Sequence, residues 1–257
     1  MIHSTAIIDP SAVIADDVDI GPFCVVGADV EIGSGCVIGP HSVISGPTRI
    51  GINNRIFQFT SIGEECQDKK YAGEPTRLEI GDYNTFREGV TVHRGTTQDK
   101  ELTRIGSHGL FMAYAHVAHD CDIGDHVIMA NQATLGGHVH IGDHVILGGL
   151  SAVHQFCHIG DHAMCGGGSI VTKDVPAYTM ANGHPAHVHG LNLVGLKRRG
   201  FSRQALLSLQ TAYKRTWRQG LTLEQAIDSI EQDDALTGPE IDVFIASLKA
   251  SERGITR

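Results

Sequence analysis

The stretch AHVAHDCDIG, residues 115–124, sets His116 and His119 on either side of Val117 and follows His119 with Asp120. Eighteen residues past His119 stands Gly137, inside GGHVHIG with His138 beside it. Eighteen further stands Gln155, inside VHQFCHIG after His154. If the chain returns to the same place every 18 residues, an imidazole, a glycine amide and a carboxamide share one column. Acyl transfer requires such a set. A neutral histidine takes a proton from a hydroxyl, a carboxylate orients that histidine, and N–H groups stabilise an oxyanion. The same residues also fit a polar ladder on a solvated face, and the column alone leaves both readings open. A second ladder, His108, His126, His144 and His162, has the same spacing but sits in GSH and GDH turns. A zinc ladder is one reading of it; solvated turn side chains are the simpler one.

An 18-residue return needs an element that supplies it. Ile2, Ile8, Ile14, Ile20, Val26, Ile32, Ile38, Ile44, Ile50, Ile56 and Ile62 recur every six residues, and a second run at the same interval goes from Ile105 to Val171. All 23 positions of the two runs are apolar in a chain that is 41% hydrophobic, so chance does not account for the period. Six is neither the 3.6 of a helix nor the 2 of a simple strand. It fits a short strand and a turn, and Gly commonly follows the aliphatic residue, as in Ile20-Gly21 and Ile141-Gly142. Three units close a coil of 18 residues, and stacked coils pair in parallel as a solenoid. An aromatic content of 5% suits so narrow a core.

Two polar segments break the pattern. EECQDKKYAGEPTR at 64–77 keeps the six-residue frame, and RGTTQDKELT at 94–103 shifts it by one. Both read as loops leaving the prism. The period stops near KDVPAY, residues 173–178; Ser202, the pair Thr222 and Gln225, and Pro239 then open three expected helices. The fold class is therefore mainly β, with a parallel β-helix over residues 1–186 and an α-helical domain over 187–257.

The net charge of −9 is unevenly placed. Residues 1–186 carry 10 Lys and Arg against 21 Asp and Glu, whereas residues 187–257 carry 10 against 8. No acidic residue lies between Asp174 and Glu224, where Lys197, Arg198, Arg199, Arg203, Lys214, Arg215 and Arg218 fall. An acidic chain is a poor nucleic-acid partner; the basic gap reads as a solvated helix surface or as a local anion site. The six cysteines include no C-x-x-C pair, and Cys24 and Cys36 read as small core residues. No window is apolar enough to span a membrane, and no basic-then-apolar leader is present, so a cytoplasmic protein is expected.

The motifs QDKKYAGEPTR, VTVHRGT, AHVAHDC, GGHV, VHQFC and LNLVGLKRRGFS occur in the order found in the UDP-N-acetylglucosamine acyltransferases of lipid A synthesis. The chain resembles that family over essentially its whole length. The resemblance implies a left-handed hexapeptide β-helix, a hand that periodicity does not supply and that opposes the usual crossover rule. It implies a homotrimer with sites between adjacent prisms, and no metal or bound cofactor. The implied reaction moves a 3-hydroxyacyl chain from acyl carrier protein to the glucosamine 3-hydroxyl of UDP-N-acetylglucosamine. In it His119 is the general base, Asp120 orients His119, and the Gly137 amide forms the oxyanion hole. Asp68 and Lys70 resemble the sugar-binding pair, and His116, His138, His154 and Gln155 position sugar, nucleotide or donor. Asn192, Arg198 and Arg199 match nucleotide and phosphate contacts, with Val194 where an acidic residue is frequent. Gly167, in MCGGGSI, maps to the position that limits acyl length, where glycine implies a long, 3-hydroxymyristoyl donor. The alternatives are a hexapeptide acyltransferase with another donor, a γ-type carbonic anhydrase with interfacial zinc, and a non-catalytic scaffold.

Overall fold

The computed structural model describes all residues, 1–257. Short strands, most of two residues, alternate with turns and assemble into sheets of nine, eight and ten strands. Within the coils, successive strands enter the three sheets in rotation, so each coil contributes one strand to each face. The register shows the 18-residue return directly: Val117 pairs with Leu135, Asp122 with His140 and Ile146 with Met164. This is the expected left-handed parallel β-helix. From Ile20 onward the in-register aliphatics point inward and join one core of 56 buried residues that extends into the helices, while Ile8 and Ile14 are partly buried and Ile2 is exposed at the open first coil. All six cysteines are buried and unpaired, Cys24 and Cys36 among the core residues.

The two loops lengthen individual coils without disturbing the stack. Ile50 pairs with Ile80 and Ile62 with Val92, so the first loop adds twelve residues to its coil. Ile80 pairs with Ile105 and Val92 with Val117, so the second adds seven. Both leave the prism between the nine- and eight-stranded sheets, at one edge. The turns along the three edges hold non-glycine residues in the left-handed region, which the sequence period did not reveal. Phe23, His41 and Phe59 mark one edge, Asp120, His138 and Phe156 the second, and His108, His126, His144 and His162 the third, with φ from 57° to 65°. That conformation costs an L-residue about 1–2 kcal/mol. Stacking offsets part of the cost: the four histidine rings of the third edge lie 4.6–4.8 Å apart, and Tyr178 closes the stack at 5.4 Å.

The solenoid ends in an antiparallel hairpin, Thr179–Gly183 and Ala186–Leu191, which continues the ten-stranded sheet beyond Met164–Cys165. The division expected after residue 186 falls within the second of these strands. The helices follow: α1 (Leu193–Arg198), α2 (Arg203–Trp217), α3 (Leu223–Glu231) and α4 (Pro239–Lys249). Ser202 and Thr222 cap α2 and α3, the latter through a capping box with Gln225. Six-residue α1 is too short to show an amphipathic period. Helix α4 lies back on the prism, Ser247 Oγ accepting from the Ala177 amide at 3.0 Å, and Ile255 returns to bridge Asp174. No helix is long and apolar enough to cross a membrane.

Candidate active site

The edge where both loops leave is the edge that carries the expected column. His119 Nδ1 donates to Asp120 Oδ2 at 2.8 Å, which leaves Nε2 as the lone-pair nitrogen of the neutral ring. The Asp120 side chain is fully buried. Burial pushes its carboxyl up, yet hydrogen bonds from His119, from Thr96 Oγ1 at 2.6 Å and from the Thr96 amide at 2.8 Å together hold it below its ordinary value. The Asp120 amide donates to Thr103 Oγ1 at 2.8 Å. Thr96 and Thr103 stand near the two ends of the second loop, so the loop and the dyad order each other.

Gly137, one coil on, lies against the imidazole. A Cβ there would sit 2.7 Å from His119 Nε2 and overlap Cε1. The neighbouring amides of Gly136 and His138 donate to Val153 and His119, whereas the Gly137 N–H takes no part in the coil's backbone hydrogen bonding. A free donor beside a base is what a developing oxyanion needs. His138 stacks on Phe156 at 4.4 Å and meets His119 edge-on at 5.1 Å.

Asp68, Lys70, His116, His119 and Gln155 line a cleft of about 440 Å³ together with His93. Thr91 Oγ1 lies 2.7 Å from His116 Nδ1, and His93 meets His116 edge-on at 5.0 Å. Burial, then the neighbouring His116, pushes His93 down to about 4; burial, then His119, lowers His116. Both rings are therefore neutral near pH 7. Buried Arg94 donates to the carbonyls of Gly46 and Gly63 and to Tyr71 Oη, pinning the first loop that carries Asp68 and Lys70. His154 is exposed and lies outside the cleft lining, its Nδ1 3.0 Å from the Gln155 carbonyl.

The remaining expected residues lie elsewhere. Arg199 Nη2 donates to the His144 carbonyl at 3.1 Å, on the edge of stacked histidines, and its Nη1 is buried without a partner. Asn192 caps α1: its Oδ1 accepts from the Gly195 amide at 3.1 Å, and its Nδ2 donates to the His162 carbonyl at 3.0 Å. Arg198 is exposed beside Arg199. Gly167 is exposed in the turn between Met164–Cys165 and Ile170–Val171, on the edge of Phe23 and Phe59, where a Cβ would meet only the Gly149 backbone, its oxygen at 3.3 Å. The expected residues thus divide over the three edges of the prism.

His119, Asp120 and His138 also form the one group of three donors close enough to share a metal ion. Both Asp120 oxygens are already taken by Thr96 and His119, and the two rings stand at 88°, an arrangement that suits a hydrogen-bonded chain better than a coordination sphere. The ladder of parallel rings on the other edge offers no converging nitrogens.

Residues 174–256 match the family described as Udp N-acetylglucosamine O-acyltransferase, domain 2, and residues 11–46 match the bacterial transferase hexapeptide. The acyl-[acyl-carrier-protein]–UDP-N-acetylglucosamine O-acyltransferase of Ectopseudomonas mendocina is 56% identical over 256 residues, covering 100% of this chain and 99% of its own. The chain belongs to the UDP-N-acetylglucosamine O-acyltransferase family. Its counterpart in Stutzerimonas stutzeri is 54% identical over 257 residues, again 100% of this chain and 99% of the other. LpxA from Acinetobacter baumannii superposes with a TM-score of 0.98 at 56% identity, covering 100% and 99% of the two chains. The Arabidopsis UDP-N-acetylglucosamine acyltransferase does so at 0.86 and 37%, covering 100% of both.

In this member of the UDP-N-acetylglucosamine O-acyltransferase family, the 18-residue column does not contain the residues that brace the site: Thr96 and Thr103 on the dyad, Thr91 on His116, Asp99 on His138 and Arg94 on the first loop. The count found Gly137 and Gln155 because nothing interrupts the coils after Asp120. The seven added residues displace the earlier partners from any multiple of 18. The quoted motif VTVHRGT contains Thr91, Arg94 and Thr96 and was the available signal.

Proposed function

We propose that the chain transfers a 3-hydroxyacyl group from acyl carrier protein to the 3-hydroxyl of UDP-N-acetylglucosamine, the first step of lipid A synthesis, in the cytoplasm. The observation that carries this reading is the His119–Asp120 pair set against the unobstructed Gly137 amide. His119 Nε2 takes the proton of the sugar hydroxyl as its oxygen attacks the thioester carbonyl carbon. The Gly137 N–H holds the oxyanion, and Asp120 stabilises the imidazolium. Collapse breaks the C–S bond, and the leaving thiolate receives the proton from His119. Asp68 and Lys70 hold the sugar in the cleft with His116 and Gln155, His138 fixes the ring of His119, and exposed His154 faces the donor.

The nucleotide residues favour a homotrimer. A single prism turns the edge of His119 and the edge of Arg199 away from each other. Side-by-side packing of copies brings one chain's dyad to its neighbour's Arg198 and Arg199, and a closed ring repeats that pairing three times. The unpartnered Nη1 of Arg199 is the donor a phosphate would engage. Asn192 adds its remaining amide hydrogen.

The acyl path crosses the nine-stranded sheet, which presents Thr134, Ala152 and Ile170 between the dyad and Gly167. With no side chain at 167 to stop it, the groove suits a 3-hydroxymyristoyl donor. Each enclosed CH₂ adds about 0.8 kcal/mol, so a fourteen-carbon donor should exceed a ten-carbon one in kcat/KM, and Gly167→Met should reverse the order. The decisive assay supplies UDP-N-acetylglucosamine and 3-hydroxymyristoyl carrier protein. His119→Ala should lower turnover by about 10²–10⁴-fold with the fold intact; a loss under twofold would remove His119 from the mechanism.

A further inference from the structure

Asp99, in the second loop, belongs to no column and has no part in the acyl transfer described above. Its Oδ2 accepts from His138 Nδ1 at 3.1 Å across 39 residues of chain. His138 is otherwise held by ring contacts: its face against Phe156, its edge against His119, and its Nε2 3.7 Å from Asp120 Oδ2. Stacking fixes the plane of an imidazole but not which way its nitrogens point. A half-turn about Cβ–Cγ preserves the stack and exchanges a nitrogen for a carbon. The bond to Asp99 removes that degeneracy. It also sets Nδ1 as the protonated nitrogen.

We propose that Asp99 is a positioning residue that locks the ring of His138 in one orientation and, through the edge-on contact, the ring of His119. The kinetic half of its test rests on the acyltransferase reading; the spectroscopic half does not. Side-chain exposure of 33% for Asp99 and 11% for His138 places the bond at the rim of the site, so solvent screens part of it. Its loss should cost roughly tenfold, the lower end for a hydrogen bond to a charged group.

The test compares wild type, Asp99→Ala and Asp99→Asn, because the Asn carbonyl accepts the same N–H. Asp99→Ala should lower kcat about tenfold, leave KM for UDP-N-acetylglucosamine within about threefold, and leave the melting temperature unchanged; Asp99→Asn should recover most of kcat. In protein with ¹⁵N-labelled histidine, the His138 resonances, assigned by their loss in His138→Gln, should show protonated Nδ1 in wild type and Asp99→Asn but a tautomer mixture in Asp99→Ala. The proposal is overturned if Asp99→Ala retains kcat and the ¹⁵N pattern, if its loss falls on KM or stability alone, or if Asp99→Asn is no better than Asp99→Ala. Should wild type transfer no acyl group, the proposed function fails and the ¹⁵N comparison still decides the role of Asp99.

Discussion

A methyl group at position 137 has no room beside the His119 ring. Gly137→Ala should therefore push the imidazole aside while the coil, which needs no unusual φ there, stays intact. A displacement of about 1 Å at a reacting group can cost on the order of 10²-fold; we expect that loss in kcat, a nearly unchanged melting temperature and a shifted ring in a crystal structure. His93 carries a second residue-scale consequence. Unfolded, it takes up a proton near 6.5; folded, only near 4. Its contribution to stability is complete above pH 6.5 and is lost as pH falls toward 4, on the order of 3 kcal/mol in all. Thermal unfolding followed from pH 7 to 4 should show a falling midpoint that His93→Asn flattens. At this scale the dyad and its glycine were legible because they lie in uninterrupted coils. The two hydrogen bonds from Thr96 that help lower Asp120 were not, since they come from a loop whose path no spacing predicts.

The two loops are held by buried polar groups: the second by Asp120 through Thr96, the first by Arg94, which opens the second loop. Arg94 reaches two carbonyls and a tyrosine hydroxyl, so Arg94→Met leaves those acceptors bare at about 1–3 kcal/mol each where they stay dry. The first loop carries Asp68 and Lys70. The expected kinetic signature is therefore a several-fold higher KM for UDP-N-acetylglucosamine with kcat largely kept, alongside a lower melting temperature; steady-state kinetics and calorimetry check both. Strands and long helices were legible in advance, because a six-residue period and capping residues are local signals. Helix α1 and the hairpin were not. One turn and a half of helix shows no amphipathic face, and the strand Ala186–Leu191 lies beyond residues 173–178, where the six-residue period stops, so no repeat marks it. The left-handed edges escaped notice too: histidine, phenylalanine and aspartate take that conformation because the stack of coils enforces it.

At the scale of the molecule, the division of site residues over separate edges makes complementation a test of assembly. In the homotrimer proposed above, His119→Ala alone or Arg199→Ala alone leaves no complete site between neighbours. Mixed trimers refolded from equal amounts of both should place an intact His119 beside an intact Arg199 in about one site of four. Recovery of acyl transfer toward that fraction checks the arrangement, and no recovery would place each site within one chain. The hairpin at residues 179–191 bears on assembly along the other axis. A stack of coils is a ladder with unpaired rungs at both ends, and identical ladders placed end to end would continue one another without limit. Here the last rung of the ten-stranded sheet is an antiparallel strand, Ala186–Leu191, and Ile255 crosses beside Asp174 on the neighbouring face. Filament growth needs a head that accepts a tail. With the tail rung of that sheet reversed in direction, the first coil of another molecule finds no parallel continuation there: along this face the molecule is a polymer terminated at a length of one.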